Sequence, residues 1–240
     1  MRRQLLALII AIVVGLVAIV APLAYYHYHY YYRQPTEPAG GAMWQSVTLP
    51  DGLKMYLNIT PSRTAQLEYM MINISIINPT THTVTIDAAQ DWPINGTALG
   101  PCGTGGLPMG IAVYDGYYTG SNITAAGTPL AVFEPGIYDC IIVYVRSFVF
   151  SPYGSSSTQR SDTNGSFHVG SYSLSYHFVL SGFWVGQGNS SSPAVLEPFQ
   201  PGPYTVVGAN EWGQLVLLHF RIEGVSDSNS TFTVTGGQDS

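Results

Sequence analysis

The stretch of this 240-residue chain with the clearest chemical character is Asn210-Glu211-Trp212-Gly213-Gln214, where a carboxylate and an indole stand side by side. Glycine near both ends of a polar tip predicts the loop of a β-hairpin. A Glu beside a Trp at such a tip could hold a sugar or a protein partner by hydrogen bonding and stacking. In the alternative interpretation, Trp212 folds back to cap the core and Glu211 pairs with loop backbone.

Two more tryptophans complete the candidate binding residues, which are Trp92, Trp184, Glu211 and Trp212. The segments 88–110 and 151–166 are long connections rich in Gly, Pro and Ser. Loops of that length are usually functional or mobile. A carbohydrate- or peptide-binding module that uses these loops is therefore one function that the sequence supports.

Catalysis has no comparable support. The carboxylates considered for acid–base chemistry are Asp87, Asp91, Asp115, Asp139, Glu197 and Glu211. Most of them fall in predicted turns, and they form no recognisable pair. The G-x-S-x-G nucleophile elbow is absent, and no His or Met closely follows Cys140, as a copper site in a sandwich would need. We expect no enzymatic activity, metal or cofactor, with a secreted enzyme or protease inhibitor as an open alternative.

Cys102 and Cys140 are the only cysteines. In an exported protein an even pair predicts a disulfide. Closing that loop stabilises the fold by about 4 kcal/mol in the chain-entropy description. The bond would also tie the Gly/Pro-rich loop to a core strand.

Asn-x-Ser/Thr sequons predict N-glycosylation of an exported chain. Their asparagines are Asn58, Asn73, Asn95, Asn122, Asn164, Asn189 and Asn229. Asn78 stands in a similar pattern, but Pro79 blocks its modification.

The N-terminal segment predicts a membrane anchor. Residues Leu5 to Ala24 form an uncharged apolar run, long enough as an α-helix to cross the roughly 30 Å hydrocarbon layer. Arg2 and Arg3 precede the run, so the positive-inside rule places the N-terminus in the cytoplasm and the rest outside. The alternative is a secretory signal that is cut near Ala24 and releases the domain.

This interpretation divides the chain into four parts. Residues 1–32 are a cytoplasmic stub, a transmembrane helix and a tyrosine-rich interfacial belt, and residues 33–42 are a linker. Residues 43–222 are an extracellular domain, and residues 223–240 are a tail that could add a strand. A terminal strand of this kind could also pair with another copy and form a homo-oligomer.

The extracellular part has the period of an all-β domain. In 53–60, one face carries Leu53, Met55, Leu57 and Ile59. In 67–77, one face carries Met70, Ile72, Ile74 and Ile76. This alternation places Asn58 and Asn73 on the outward face. A turn at 78–81 then leads into a partner strand with Val84 and Ile86 inward. Later strand candidates are Ile111–Tyr114, Ile137–Phe150, Ser171–Val185, Tyr204–Val207 and Gln214–Ile222. The pattern predicts an immunoglobulin-like β-sandwich.

The low charge of the chain excludes one class of partner. Charged residues make up only 9% of the chain, against roughly 25% in typical proteins. The net charge is −6, and Lys54 is the one lysine, so no basic patch exists to bind nucleic acid. Neutral hydrogen-bonding groups dominate the polar residues. The solubility of the protein would therefore change little if its few carboxylates were protonated in an acidic exterior.

The runs PYTVVGANEWGQLVLLHFRI (203–222) and PCGTGGLPMGIAVYDGYYTGSNIT (101–124) resemble a group of membrane-anchored surface proteins of thermoacidophilic archaea. The resemblance could extend over residues 43–222. It implies a sandwich with a disulfide and a location in an archaeal envelope, and it implies no activity.

Taken together, these features predict a non-enzymatic cell-surface protein with a structural or adhesive role. We expect its partners to be the membrane, other envelope proteins and glycans.

Overall fold

The structure is a computed structural model that describes residues 44–64, 67–140, 143–189, 191–222 and 232–235. These residues form an all-β fold with two short 3₁₀ turns and no α-helix. No helix in these ranges is long and apolar enough to cross a membrane. The predicted anchor, belt and linker, residues 1–42, lie outside the described residues.

Fourteen strands are present in the described ranges: β1 (Trp44–Thr48), β2 (Lys54–Thr64), β3 (Leu67–Ile77), β4 (Val84–Asp87), β5 (Met109–Asp115), β6 (Ser147–Phe150), β7 (Arg160–Ser161), β8 (Ser166–His168), β9 (Ser173–Leu180), β10 (Gly182–Val185), β11 (Val195–Pro198), β12 (Gly202–Asn210), β13 (Leu215–Ile222) and β14 (Phe232–Thr235). Sheet 1 has the order β1-β2-β3-β9, sheet 2 the order β14-β13-β12-β5, and sheet 3 the order β4-β6-β8-β7. Strands β10 and β11 form a separate antiparallel pair.

Sheets 1 and 2 face each other as a β-sandwich. The predicted inward residues of β2 and β3 are fully buried, which confirms the alternation found in the sequence. They meet the inward face of sheet 2, which includes Ile111, Val113, Val206, Leu218 and Phe220. Apolar burial of this kind is the main stabilising contribution to such a fold.

Gly208 of β12 sets how closely the two sheets approach. A Cβ atom at this position would lie 3.2 Å from Ile74 Cδ1 of sheet 1 and 3.2 Å from Val216 Cγ2 of the neighbouring strand. A larger side chain would push the sheets apart, so glycine allows tight packing here.

Strand β12 is buried on both faces. Its second face, with Val207 and Ala209, packs beneath a layer of loops together with Tyr114 and Leu217. Ile94 and Ile123 insert from those loops, and both are almost fully buried. The outer face of sheet 2 is therefore covered, and the loops that cover it are held by apolar anchors.

The turn at 78–81 does not fold β4 back onto β3, as the sequence predicted. Asn78 is fully buried, and its Nδ2 donates to the carbonyls of His82 and Ser151 at 2.9 Å each. These bonds lead the chain away from sheet 1. Strand β4 pairs instead with β6 in sheet 3, where Val84 and Ile86 are buried as expected.

Two other strand predictions need correction. Within Ile137–Phe150, strand structure is confined to Ser147–Phe150 among the described residues, and Ile137 is 98% exposed. A Pro-Gly turn precedes Ile137, and Cys140 N–H donates to the Tyr138 carbonyl, so the backbone turns instead of extending. Ser171–Val185 is two strands, β9 and β10, which belong to different sheets.

The tail contributes one described strand. Phe232–Thr235 pairs antiparallel with His219–Ile222 of the same chain and forms the edge of sheet 2. At the other side of the sandwich, Lys54 lies on the outer face of sheet 1, opposite Thr48 and Ile77.

Replacing Asn78 with Ala should lower the free energy of unfolding by about 2–3 kcal/mol, because two carbonyls lose their donor in a buried place. Urea denaturation of unglycosylated protein measures this change. The matched control is Asn95→Ala at an exposed turn, which should change stability by less than about 0.5 kcal/mol. Equal effects of the two substitutions would contradict the role given to Asn78.

Candidate functional site

A cavity of about 420 Å³ opens beside Trp92 in the loop layer over sheet 2. Its volume falls within the range of roughly 300–1,000 Å³ that is typical of small-molecule sites. Trp92 and Tyr114 supply aromatic surface, and Asn95, Thr124 and Thr128 supply neutral hydrogen-bonding groups. All the described residues that line this cavity are uncharged.

The two loops that form the cavity are fixed from below. Ile94 follows Trp92 by two residues and is 6% exposed, while Ile123 begins a 3₁₀ turn on the facing loop and is 2% exposed. Both pack in the cluster with Tyr114 on the outer face of sheet 2. Because these anchors are buried, Trp92 stays half-buried at the rim.

Tyr114 forms part of the floor of the cavity. Its ring makes an edge contact with Tyr118, at 5.9 Å between ring centres. Burial raises the pKa of its hydroxyl, and the neighbouring Tyr118 adds to the effect. The hydroxyl is thus neutral at physiological pH and acts as a hydrogen-bonding group.

The two loops meet at Gly96 and Pro129. Gly96 has a φ of +80°, and a Cβ atom there would lie 2.7 Å from Pro129 Cγ. Only glycine suits this position, because both the backbone conformation and the available space exclude a side chain. Both residues line the Trp92 cavity.

Glu211 lies behind the Trp92 loop, at the tip of the β12–β13 hairpin. Its backbone carbonyl accepts a 2.7 Å hydrogen bond from Asp91 N–H. Its carboxyl accepts the backbone N–H groups of Ala89 and Gln90. Gln90 adopts the left-handed conformation with a φ of 56°, which turns the loop around the carboxyl. The backbone and side chain of Glu211 together therefore position residues 89–91, which precede Trp92.

Trp212 holds the start of the same loop. Its Nε1 donates to the Asp87 carbonyl at 2.7 Å, and its ring packs edge-on against Phe148 of β6 at 6.0 Å. The Asn210 Oδ1 accepts from Trp212 N–H at 2.9 Å and from Gln214 N–H at 3.3 Å, which fixes the hairpin tip.

The four candidate binding residues thus fall into three places. Trp92 lines the cavity, whereas Glu211 and Trp212 are 6% and 9% exposed and contact the loop from inside the fold. This burial corresponds to the alternative interpretation of the hairpin tip. Trp184 lies on β10, where its backbone N–H donates to the Ala131 carbonyl at 2.7 Å, and it does not line the Trp92 cavity.

Burial has a large effect on the Glu211 carboxyl. It raises the pKa to about 7, although the N–H groups of Ala89 and Gln90 act in the opposite direction. Among the described residues, no donor reaches Oε1, so a proton on this oxygen removes an uncompensated buried charge. Glu211 does not line the Trp92 cavity, and the raised pKa therefore concerns stability.

Cys102 and Cys140 are bonded to each other, as the sequence predicted. Their Cα atoms lie 5.5 Å apart, which is an ordinary separation for a disulfide. Both residues are exposed, so the bond joins two surface loops and does not reach the sandwich core.

The sequon asparagines of the described residues all have some solvent access. Asn95, Asn122, Asn164 and Asn189 are exposed in loops and turns, and Asn58 and Asn73 are half-buried on the outer face of sheet 1. Asn229 lies outside the described residues. Glycosylation stays a prediction, and Asn78, whose modification Pro79 blocks, is fully buried.

In the described part of the chain, no three His, Cys, Asp or Glu side chains come together in a group that could hold a metal ion. Comparison with known proteins matches the chain to no family model, no curated protein and no solved structure. The function is therefore inferred from the geometry and chemistry of the Trp92 cavity.

The raised pKa of Glu211 makes stability depend on pH. The folded-state pKa of about 7 lies above the ordinary value of 4.5, so the folded state binds the proton more tightly. The protonated carboxyl therefore contributes to the free energy of unfolding. Its contribution is fully present below pH 4.5 and is lost as the pH rises through about 7.

Glu211→Gln should remove that dependence, because the amide is neutral and has the same shape. Chemical denaturation across this pH range measures the effect as the difference in slope between wild type and variant. Glu197→Gln, at an exposed carboxylate on β11, is the control and should keep the wild-type slope. An unchanged slope in Glu211→Gln would refute the assignment.

Proposed function

We propose that this chain is a non-enzymatic cell-surface protein with an adhesive role, and that it binds neutral carbohydrate in the Trp92 cavity. The observation that carries the proposal is the lining, in which two aromatic rings face amide and hydroxyl groups without a charged residue among those described.

The chemistry of a neutral sugar suits this lining. The C–H face of a pyranose ring is apolar and packs against an aromatic ring, while its hydroxyls need neutral donors and acceptors at the edge. Trp92 and Tyr114 supply the first kind of contact, and Asn95, Thr124 and Thr128 the second. A charged ligand would lose its hydration in the cavity without gaining a counter-charge.

The location in an envelope is supported by the sequence. The apolar run Leu5–Ala24 after Arg2 and Arg3 favours a single-pass anchor with the sandwich outside, and cleavage near Ala24 is the alternative. The disulfide between Cys102 and Cys140 suits an oxidising exterior. The two facing four-stranded sheets support an immunoglobulin-like domain as the finer description of the fold.

Polymerisation by strand exchange stays a prediction. In the structure, Phe232–Thr235 fills the edge of sheet 2 in its own chain. An exchanged strand from another copy would occupy the same place, so the pairing within one chain does not favour this variant.

Trp92→Ala should weaken binding of a neutral oligosaccharide at least about tenfold, because stacking on the indole is lost. Glycan-array screening identifies the ligand, and isothermal titration calorimetry measures the affinity. Trp44→Ala is the matched control, since Trp44 is 54% exposed on the outer face of sheet 1. Binding that survives Trp92→Ala, or equal losses in the two variants, would place the ligand elsewhere.

Mass spectrometry of the protein from its native membranes tests the location. We expect an N-terminus that still carries Leu5–Ala24, glycans on exposed sequons outside the cavity such as Asn122 and Asn164, and an oxidised Cys102–Cys140 pair. A chain that begins after Ala24 and is recovered from the medium would favour the secreted alternative. Unmodified asparagines throughout would remove glycosylation from the proposal.

A further inference from the structure

Two more cavities continue from the Trp92 cavity. The second has a volume of about 270 Å³ and shares Gly96 and Pro129 with the first. The third has a volume of about 340 Å³ and shares Glu134 and Pro135 with the second. Because each cavity has residues in common with the next, the three lie side by side in a row along the loops, and we call this row the loop trench.

Residues 129–135 form a wall that contributes to all three cavities. This segment belongs to no strand. Leu130 N–H donates to the Val113 carbonyl of β5 at 2.7 Å, and the Ala131 carbonyl accepts from Trp184 N–H of β10 at 2.7 Å. The wall is therefore held between two strands.

The disulfide connects a loop of the second cavity to a loop of the third. Pro101 and Gly103, which flank Cys102, line the second cavity. Gly136, Ile137 and Tyr138, which precede Cys140, line the third. A covalent bond between these two loops restricts their movement relative to each other.

The loop trench keeps the neutral character of the Trp92 cavity. Among the described residues that line it, Glu134 is the one with a formal charge. Its walls carry proline rings, glycine backbone and the aromatic ring of Tyr138. A long neutral ligand can lie along such a surface without leaving charges buried and unpaired.

We propose that the loop trench binds a linear neutral glycan, with consecutive sugars in the three cavities and one end of the bound segment at Trp92. This inference rests on the proposed function and names the form of its ligand. An extended peptide fits less well, because recognition by strand addition needs an unpaired backbone edge. In the wall, Leu130 N–H and the Ala131 carbonyl are already bonded to β5 and β10, so they do not offer an unpaired edge to a peptide.

The test compares affinity with ligand length. Neutral homo-oligosaccharides of the sugar identified on the array, from the monosaccharide to the hexasaccharide, are titrated by calorimetry into the wild-type ectodomain with its disulfide intact. We expect affinity to rise at least about tenfold from the shortest to the longest ligand, as the second and third cavities become occupied.

Gly100→Phe tests the second cavity independently of the first. Gly100 lines the second cavity, and a Cβ atom there would meet no heavy atom within 4 Å, so a phenyl ring can fill the space. The variant should bind the shortest ligand like wild type and lose the gain with length. Gly120→Phe is the control, because Gly120 is exposed outside the trench and its Cβ would lie 3.8 Å from Leu217 Cδ1.

The outcomes are distinct. If short ligands bind and affinity does not change with length, the loop trench is refuted while the Trp92 proposal stands. If no saccharide of any length binds wild type, the proposed function fails and this inference fails with it. Displacement of the glycan by a proline-rich peptide that binds more tightly, and is itself blocked by Gly100→Phe, would overturn the choice of a glycan. Thermal unfolding of each variant verifies that it folds.

Discussion

The hydrogen bond from the Trp212 indole to the Asp87 carbonyl connects the parts of this fold on which the site depends. Trp212 follows the central strand of sheet 2, Asp87 ends the first strand of sheet 3, and the indole rests on Phe148 of that sheet. The loop that leaves Asp87 is next fixed by Glu211 and then reaches Trp92. The buried Trp212, whose indole N–H is bonded, thus determines where the half-buried Trp92 lies.

The scarcity of charge has a consistent meaning across the molecule. Most of the polar surface is neutral, and the Trp92 cavity has the same character. Among the described carboxyls, Glu211 has the strongly raised pKa, and it contributes most to stability when it is protonated. Both properties suit an exterior more acidic than the cytoplasm. In both cases charge is absent or neutralised by a proton, and is not balanced by an ion pair.

Several parts of the fold could be predicted because they depend on neighbouring residues. The alternation in β2 and β3 encodes which face is buried, and the polar tip between glycines encodes a hairpin. The pairing of β4 could not be predicted, because it depends on Asn78 bonding to Ser151, which is distant in sequence. The exposed Ile137 misled the strand prediction, since residue type alone does not show that the backbone turns there.

The candidate site was only partly visible in the sequence. Trp92 was a candidate, but the cavity needs a second loop around Thr128, and nothing in either segment indicates that they meet. One signal was available for Tyr114. A strand that turns Ile111 and Val113 into the core turns Tyr114 the other way, so a buried tyrosine there requires a covering layer.

The single lysine has a practical consequence of its own. Lys54 lies on the outer face of sheet 1, and the Trp92 cavity lies over sheet 2, on the opposite side of the sandwich. Immobilising the ectodomain through this one lysine side chain would orient every molecule alike, with the Trp92 cavity facing the liquid.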